Sequence, residues 1–304
     1  MKASSRERTC IVVCADGAIF ELLVGLLLSL RPLDRQRFAV AIIDTGLSEA
    51  QRRCLGDLCD AISPVRDDLL VPLDPRLAAL IEPKSPFWRA QACRPFLRDY
   101  FPGFRHYVHL DADMWVQRPG LFFDAVEAML DEGRVVIVPE SDVAYPIASD
   151  LEKNQVYFTE KAAITRQVFG PDIERQMGAF TYFNTGFFGM RHDLAHWELF
   201  ANYLRGVFGR SYHHLSEQLT FNVVLMKLGG FTLLPAVCNW MCTLSTPIRG
   251  QDGLLRSPRY PHDVIEILHL TGTDKMARYR DSGLLFDQGR YLPELVARLK
   301  AAGE

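Results

Sequence analysis

Apolar residues fall along this chain in short runs that alternate with longer amphipathic stretches, most regularly over the first 140 residues. Cys10-Ile-Val-Val-Cys-Ala15 reads as a buried strand, and Ile19 to Leu30 as an apolar helix ending before Pro32. Phe38 to Ile43 predicts a second strand, after which Ser48 offers an N-cap for a helix running toward Cys59. A stretch punctuated by Pro64, Pro72, Pro75, Pro83 and Pro86 follows, then a helix over Phe87 to Tyr100. His106 to Leu110 predicts the next strand, Leu121 to Leu130 a helix, and Arg134 to Val138 another strand.

The second half is less regular. Residues 140–178 form a polar, mixed segment with partial helical character, followed by strand-like Phe180 to Met190. Helices are expected near 193–208 and 216–228, a short strand at Gly230 to Leu234, a long loop to about 262, and a last strand at Ile265 to Leu270. The strand–helix alternation argues for an α/β fold with a mixed, mainly parallel central sheet and helices on both faces. No internal repeat or linker-like boundary interrupts it, so the expectation is one domain over 1–304. A first half would span about 10–140, a second half about 141–280, and a C-terminal helix 281–304.

Composition narrows the classes. Hydrophobic residues at 48% and charged residues at 23% exclude disorder for most of the chain. With 34 Lys+Arg against 37 Asp+Glu the net charge is −3, which gives no global attraction for nucleic acid or an anionic membrane. The longest apolar run, Leu22 to Leu30, is nine residues, against the ~20 needed to span a bilayer, so no transmembrane segment is expected. Behind Lys2, Arg6 and Arg8, the apolar stretch Ile11 to Ala15 is too short for a signal peptide. Seven cysteines, an odd number, favour a reduced, cytoplasmic setting. The pairs Cys54/Cys59 and Cys238/Cys242 lack the two-residue spacing of a zinc ribbon, and core packing is the better reading.

The sharpest chemistry lies in Tyr107-Val-His-Leu-Asp-Ala-Asp-Met-Trp-Val116. An apolar strand ends in two aspartates separated by one small residue. In extended geometry residues i and i+2 share a face roughly 7 Å apart at Cα, so both carboxylates can reach one small object. They sit at the carboxyl end of a strand, where open α/β sheets place ligands. Paired carboxylates with room for phosphate oxygens suit Mn²⁺ or Mg²⁺; without the metal, such a pair is expected to repel itself. Farther on, His269 ends a strand and can supply an imidazole nitrogen to the same ion, Gly272 allows close approach of the backbone to a phosphate, and Lys275 adds a cation.

The surrounding sequence resembles glycosyltransferase family 8, the family of glycogenin and the bacterial lipooligosaccharide galactosyltransferases. Seven blocks carry the likeness, in order: Ile11-Val-Val-Cys-Ala-Asp16; Ile42-Ile-Asp-Thr-Gly-Leu-Ser-Glu49; Arg94; Leu110-Asp-Ala-Asp113; Tyr182-Phe-Asn-Thr-Gly-Phe187; Glu217-Gln-Leu-Thr-Phe-Asn222; and His269-Leu-Thr-Gly-Thr-Asp-Lys275. The resemblance implies a GT-A, Rossmann-like fold and a metal-dependent, retaining transfer of a hexose from a nucleotide sugar, UDP-linked by expectation, to a saccharide, lipid-linked or protein acceptor. It implies metal ligation by Asp111, Asp113 and His269, and donor binding by Ala15, Asp16, Arg94, Ala112, Asn184, Gly186, Gly272 and Lys275.

The block that supplies a candidate nucleophile in this family has an amide here, Gln218, with Leu219 in place of its second acid. An amide is a poor nucleophile, so departure of the leaving group with same-face attack is favoured over the two-carboxylate double displacement. Glu217 and Asp142 are the nearby carboxylate candidates. Two departures stand out: Met276-Ala-Arg278 replaces the usual Pro and Trp after the lysine, and Gly17-Ala18 follows Asp16 where an Asn is usual. Two competing readings remain. One is a non-catalytic nucleotide-sugar-binding scaffold. The other is a haloacid dehalogenase-type phosphatase, whose pattern expects Thr or Val where Trp115 stands.

Overall fold

The computed structural model describes residues 8–82, 87–178, 180–272, 275 and 288–303. Its strands are β1 (Thr9–Asp16), β2 (Phe38–Gly46), β3 (Ala61–Pro64), β4 (His106–Asp111), β5 (Met114–Val116), β6 (Val135–Pro139), β7 (Phe183–Arg191) and β8 (Phe231–Leu233). Four two- or three-residue strands follow: β9 (Trp240–Met241), β10 (Ile248–Arg249), β11 (Leu255–Arg256) and β12 (Ile267–His269). Seven strands form the central sheet in the order β3-β2-β1-β4-β7-β6-β8. Every pairing in it is parallel except the two made by β7, which runs against β4 and β6. The expected mixed, mainly parallel α/β sheet is what forms.

Side chains alternate across this sheet even where the strand is apolar throughout. Ile11, Val13 and Ala15 enter one core with the helix Phe20–Leu30, while Cys10, Val12 and Cys14 enter a second core with Trp88, Leu97 and Phe188. A strand covered on both faces has no polar face to show, which is why β1 reads as a continuous apolar run.

Departures from the expected elements have local causes. The edge strand β3 hides in the proline-rich stretch, and so does a helix, Pro75–Ile81: Pro75 occupies its first turn and Asp74 Oδ1 accepts the Arg76 N–H at 2.9 Å. The helix over Phe87 to Tyr100 is three pieces, Trp88–Cys93, a 3₁₀ turn Arg94–Phe96 and Leu97–Tyr100. Pro95 has no N–H to continue the first piece. The helix after Ser48 is real, with a full capping box to Gln51, but ends at Cys54. The polar segment 140–178 contains helices Leu151–Phe169 and Pro171–Met177, and the long loop before 262 carries β9 to β11. The C-terminal helix spans Gln288–Ala302; residues 281–287, Pro83, Pro86, Thr273, Asp274 and the stretch Met276-Ala-Arg278 lie outside the described residues.

Candidate active site

Asp111 is the last residue of β4 and the chain turns at once into β5, which pairs antiparallel with β12 so that Met114 faces His269. The Leu270 N–H donates to the Asp113 carbonyl at 3.0 Å. This small second sheet, completed by β9 on the other side of β12, is what brings a histidine from far along the chain to the paired aspartates. One ligand atom each from Asp111, Asp113 and His269 lie within 4.8 Å of one another. His269 Nε2 is 3.3 Å from Asp113 Oδ1 and 3.7 Å from Asp111 Oδ2. Lys275 Nζ donates to Asp113 Oδ2 at 3.0 Å. Gly272 has φ 97°, a conformation strained for any residue with a Cβ.

The aspartates do not simply repel each other, because each has its own cation. Burial works to raise both pKa values, but for Asp111 the Arg94 guanidinium and the His109 hydrogen bond win, and for Asp113 His269 and Lys275 win; both carboxyls are held below their ordinary range. Arg94 donates to Asp111 Oδ1, to Glu217 Oε2 at 2.6 Å and to Thr185 Oγ1 at 3.3 Å. His109 is fully buried; burial and Arg94 push it down to about 4, so the ring is neutral and its Nε2–H donates to Asp111 Oδ1 at 3.1 Å. Glu217 is fully buried too. Burial, reinforced by Asp111, pushes its carboxyl up to about 7 against the pull of Arg94, and among the described residues its Oε1 has no hydrogen-bond partner.

The second half contributes through an irregular strand. Opposite β6, the register of β7 jumps so that Ile137 pairs with Phe188 but Val138 with Asn184, a bulge of the kind that re-aims side chains beside functional sites. Within it, Gly186 lies against the cluster: a Cβ there would stand 2.5 Å from His269 Cε1 and 2.9 Å from Asp111 Oδ2. Asn184 Oδ1 accepts the Gly186 N–H at 2.9 Å and the Asn239 amide at 3.1 Å, and Asn239 Oδ1 lies 2.8 Å from His269 Nδ1. Gln218 sits on the helix Ser216–Leu228, which is buried without a break from Ser216 to Leu225. That helix is tied to β7 by Asn222, whose Oδ1 accepts the Phe183 N–H at 2.7 Å. Gln218 Nε2 donates to Glu140 Oε1 at 2.9 Å, and Glu140 in turn accepts from Lys161 at 2.8 Å and from Tyr157.

Of the residues expected at the site, Asp111, Asp113, His269, Lys275, Arg94, Glu217, Gln218, Asn184 and Gly186 come together, with buried Ala112 between the aspartates. Ala15 and Asp16 end β1 nearby, and Asp16 Oδ1 caps the following turn through the Ala18 N–H at 2.9 Å. Burial pulls the Lys275 pKa down, but Asp113, Asp111 and Asp16 together raise it above its ordinary value. Asp142 is not part of the metal-ligating cluster. Its two oxygens accept the backbone N–H groups of Ala144 at 2.8 Å and Ala236 at 3.1 Å. Sequence reasoning misses His109, Glu140, Asn239, Lys161 and Tyr157. For His109, Glu140 and Asn239 the available signal is a polar residue inside or just past a run that is otherwise buried; Lys161 and Tyr157, on a helix with few buried residues, carry no such signal. None of the seven cysteines forms a disulfide, and among the described residues the cluster with metal-ligating geometry contains none of them. No helix among the described residues is long and apolar enough to cross a membrane.

No protein-family model matches the chain, and no curated protein matches it at a significant level. Solved structures do. The galactosyltransferase LgtC in complex with donor and acceptor sugar analogues superimposes with a TM-score of 0.56 at 16% identity, over 97% of this chain and 95% of that one. The bifunctional glycosyltransferase WbbM gives 0.57 at 14% identity, over 96% of this chain and 52% of that one, so the chain spans about half of WbbM. The glycosyltransferase GlyE of Streptococcus pneumoniae TIGR4 gives 0.51 at 14% identity, over 96% and 64%. The seven-stranded sheet, its one antiparallel member and these likenesses together establish that the chain has the GT-A glycosyltransferase fold.

Proposed function

We propose that this chain is a metal-dependent, retaining glycosyltransferase that moves a hexose from a UDP-linked donor to a saccharide, lipid-linked or protein acceptor. The observation that carries the reading is the convergence of Asp111, Asp113 and His269 beside Lys275 at the carboxyl end of a central strand. Two carboxylates and one imidazole fit a hard-to-borderline divalent cation, and the imidazole favours Mn²⁺ over Mg²⁺. Such an ion, held by Asp111, Asp113 and His269, supplies Lewis-acid stabilisation of a diphosphate leaving group. The fold supports a nucleotide-sugar donor, as LgtC was crystallised with donor and acceptor sugar analogues. Because the cluster takes ligands from both halves of the sequence, we read the whole chain as one functional unit.

The chain's own residues then have separable jobs. Lys275 adds positive charge where the diphosphate departs. Asp16 and Ala15, at the end of β1, face the nucleoside, with Ala112 and Gly272 leaving room for the phosphates. Arg94, braced by Glu217 and Thr185, orients the donor sugar together with Asn184 and Gly186. Glu217 is fully buried and committed to Arg94, which suits a bracing role better than nucleophilic attack. Gln218 steadies positive charge at the anomeric carbon while the acceptor approaches from the face that the leaving group vacates.

A screen of UDP- and GDP-sugars by mass spectrometry, with and without Mn²⁺, tests this. Mn²⁺-dependent release of hexose to water or to an acceptor from a UDP-sugar is expected. Metal-dependent UDP binding without any sugar release would instead favour a non-catalytic scaffold, and phosphate release from simple phosphomonoesters would sink the transferase reading.

A further inference from the structure

Tyr260, Leu151 and Val143 are the most exposed large apolar side chains among the described residues, at 90%, 86% and 81%, against 69% for the next, Leu121. They are distant in sequence but gather round one guanidinium. Arg259 Nη1 donates to the Val143 carbonyl at 2.7 Å, and its Nη2 donates to Ser149 Oγ. The turn that carries Tyr260 is thereby clipped to the segment that carries Val143 and leads into the helix beginning at Leu151. That segment in turn reaches the sheet of His269. The Tyr145 hydroxyl accepts the Met241 N–H at 2.9 Å, and Met241 pairs with His269 across β9 and β12.

These side chains are displayed on fixed backbone. Within the turn, the Ser257 N–H donates to the Asp263 carbonyl at 2.9 Å, the His262 N–H to the Arg259 carbonyl at 2.8 Å, and Arg256 Nη1 to the His262 carbonyl at 3.1 Å. His262 sits at φ 64°, a left-handed conformation uncommon outside glycine. Such strain persists only where the surroundings over-determine it, and it gathers at ligand-contacting positions. At the foot of the turn, Gln117 donates to the Leu255 carbonyl at 2.9 Å and accepts the Leu255 N–H at 2.8 Å.

The chemistry of the patch selects its occupant. Three protruding side chains cannot supply the ~800 Å² per partner that a stable protein interface takes, which argues against a second copy of the chain. Nor does charge select a polyanion: residues 142–153 and 249–263 hold four basic residues against five acidic ones. Lys153 is paired with Asp150 at 3.0 Å and Arg256 with Asp252 at 2.6 Å. Aliphatic tips beside a tyrosine and an arginine suit a bilayer interface, where apolar side chains enter the acyl boundary and amphipathic ones stay among the headgroups. We propose that Val143, Leu151 and Tyr260 form a docking tip that enters the surface of a zwitterionic bilayer. Three side chains give weak, reversible association, on the order of the 10⁴ M⁻¹ that one acyl chain provides. That docking narrows the acceptor to the lipid-linked class rests on the transferase reading; the docking itself does not.

The test is co-sedimentation of the full chain with phosphatidylcholine vesicles, without nucleotide, metal or acceptor. Wild type should bind equally at low and high salt, because apolar contact rather than screened charge drives the association. Val143→Ser/Leu151→Ser/Tyr260→Ser should bind at least tenfold more weakly with an unchanged urea midpoint, since all three side chains are exposed. Leu80→Ser/Leu121→Ser removes exposed apolar side chains elsewhere and should bind like wild type. Wild type that stays in the supernatant, a triple variant that binds like wild type, or binding that vanishes at high salt overturns the proposal. So does a wild-type dimer in sedimentation velocity that the triple variant loses, which would make the patch a self-association surface. If docking holds but no UDP-sugar gives up its hexose with Mn²⁺ present, the docking stands and the transferase reading fails.

Discussion

Asp111 and Asp113 leave an apolar strand at its end and, like Lys275, meet their partners as charges, whereas Asn184, Gln218 and Asn239 lie within buried segments and meet theirs mainly as amides. Asp111 keeps 26% of its side chain exposed and Lys275 30%, while the three amide residues are each exposed by 9% or less. The first group offers carboxylates to a cation and, through Lys275, a cation to phosphate. The second has no free charge to offer and is over-determined by hydrogen bonds, so its contribution is geometry. In this site, then, electrostatics enters mostly from the first half of the chain and precision from the second, with His269 as the residue where they meet.

The most severe way to break the arrangement is at the contact between the two groups. Gly186→Ala puts a Cβ 2.5 Å from His269 Cε1, 2.8 Å from Asn184 Oδ1 and 2.9 Å from Asp111 Oδ2, distances that side chains locked by hydrogen bonds cannot easily relieve. Overpacking of this kind costs about 1–3 kcal/mol. Urea unfolding should register that loss, and calorimetry should find Mn²⁺ binding abolished, since His269 and Asp111 are displaced together. Near-normal Mn²⁺ affinity in the variant would mean that the two sides are not in rigid contact.

Asp113→Ala separates charge from geometry. The variant should lose transfer activity altogether. The sequence alone suggests no cost in stability, as metal-free carboxylates repel, but Asp113 is paired with Lys275 at 3.0 Å and with His269. A loss of about 1.5–3 kcal/mol is therefore expected, the range for a hydrogen bond to a charged group. Unchanged stability would show that the pairing contributes nothing in the metal-free protein.

How far each group can be read from sequence follows from the same contrast. An acid at the end of an apolar strand interrupts a pattern, so Asp111 and Asp113 stand out, and His269 with Gly272 and Lys275 repeats the effect. His109 does not: one polar residue within Tyr107-Val-His-Leu110 matches a core histidine as well as a residue that holds a carboxylate. Asn239 in Cys-Asn-Trp-Met-Cys reads as core for the same reason, and only β9 lying beside β12 gives it a role. Glu140 after Pro139 resembles a turn residue. Its importance depends on Lys161, which arrives on a helix that the mixed polarity of 140–178 conceals. The fold was legible where strands are buried on both faces and obscure where prolines start helices instead of ending them.

Glu217 offers a milder perturbation, one that acts through pH. Its folded-state pKa, about 7, lies above the ordinary 4.5. A raised pKa contributes stability that is fully present below pH 4.5 and is lost as pH rises through 7. Metal-free wild type should therefore lose on the order of 1–3 kcal/mol from this group across that window, superimposed on opposite, more acidic contributions from Asp111, Asp113 and Glu140. Glu217→Gln should flatten the decline between pH 4.5 and 7 in urea unfolding. An identical slope in the two proteins would place the Glu217 carboxyl at its ordinary pKa.

The smallest effect is expected at Asp142, the one candidate acid whose oxygens are both occupied by backbone N–H groups. An amide side chain in its place would keep one acceptor and present an NH₂ to the other backbone N–H, so Asp142→Asn should cost about 1 kcal/mol of stability. It should leave Mn²⁺ affinity unchanged and kcat within a few-fold of wild type. The measurement that matters is the split between stability and turnover. If kcat falls a hundredfold while unfolding barely changes, Asp142 acts on the substrate. The loop that it ties between Ala144 and Ala236 then belongs to the chemistry.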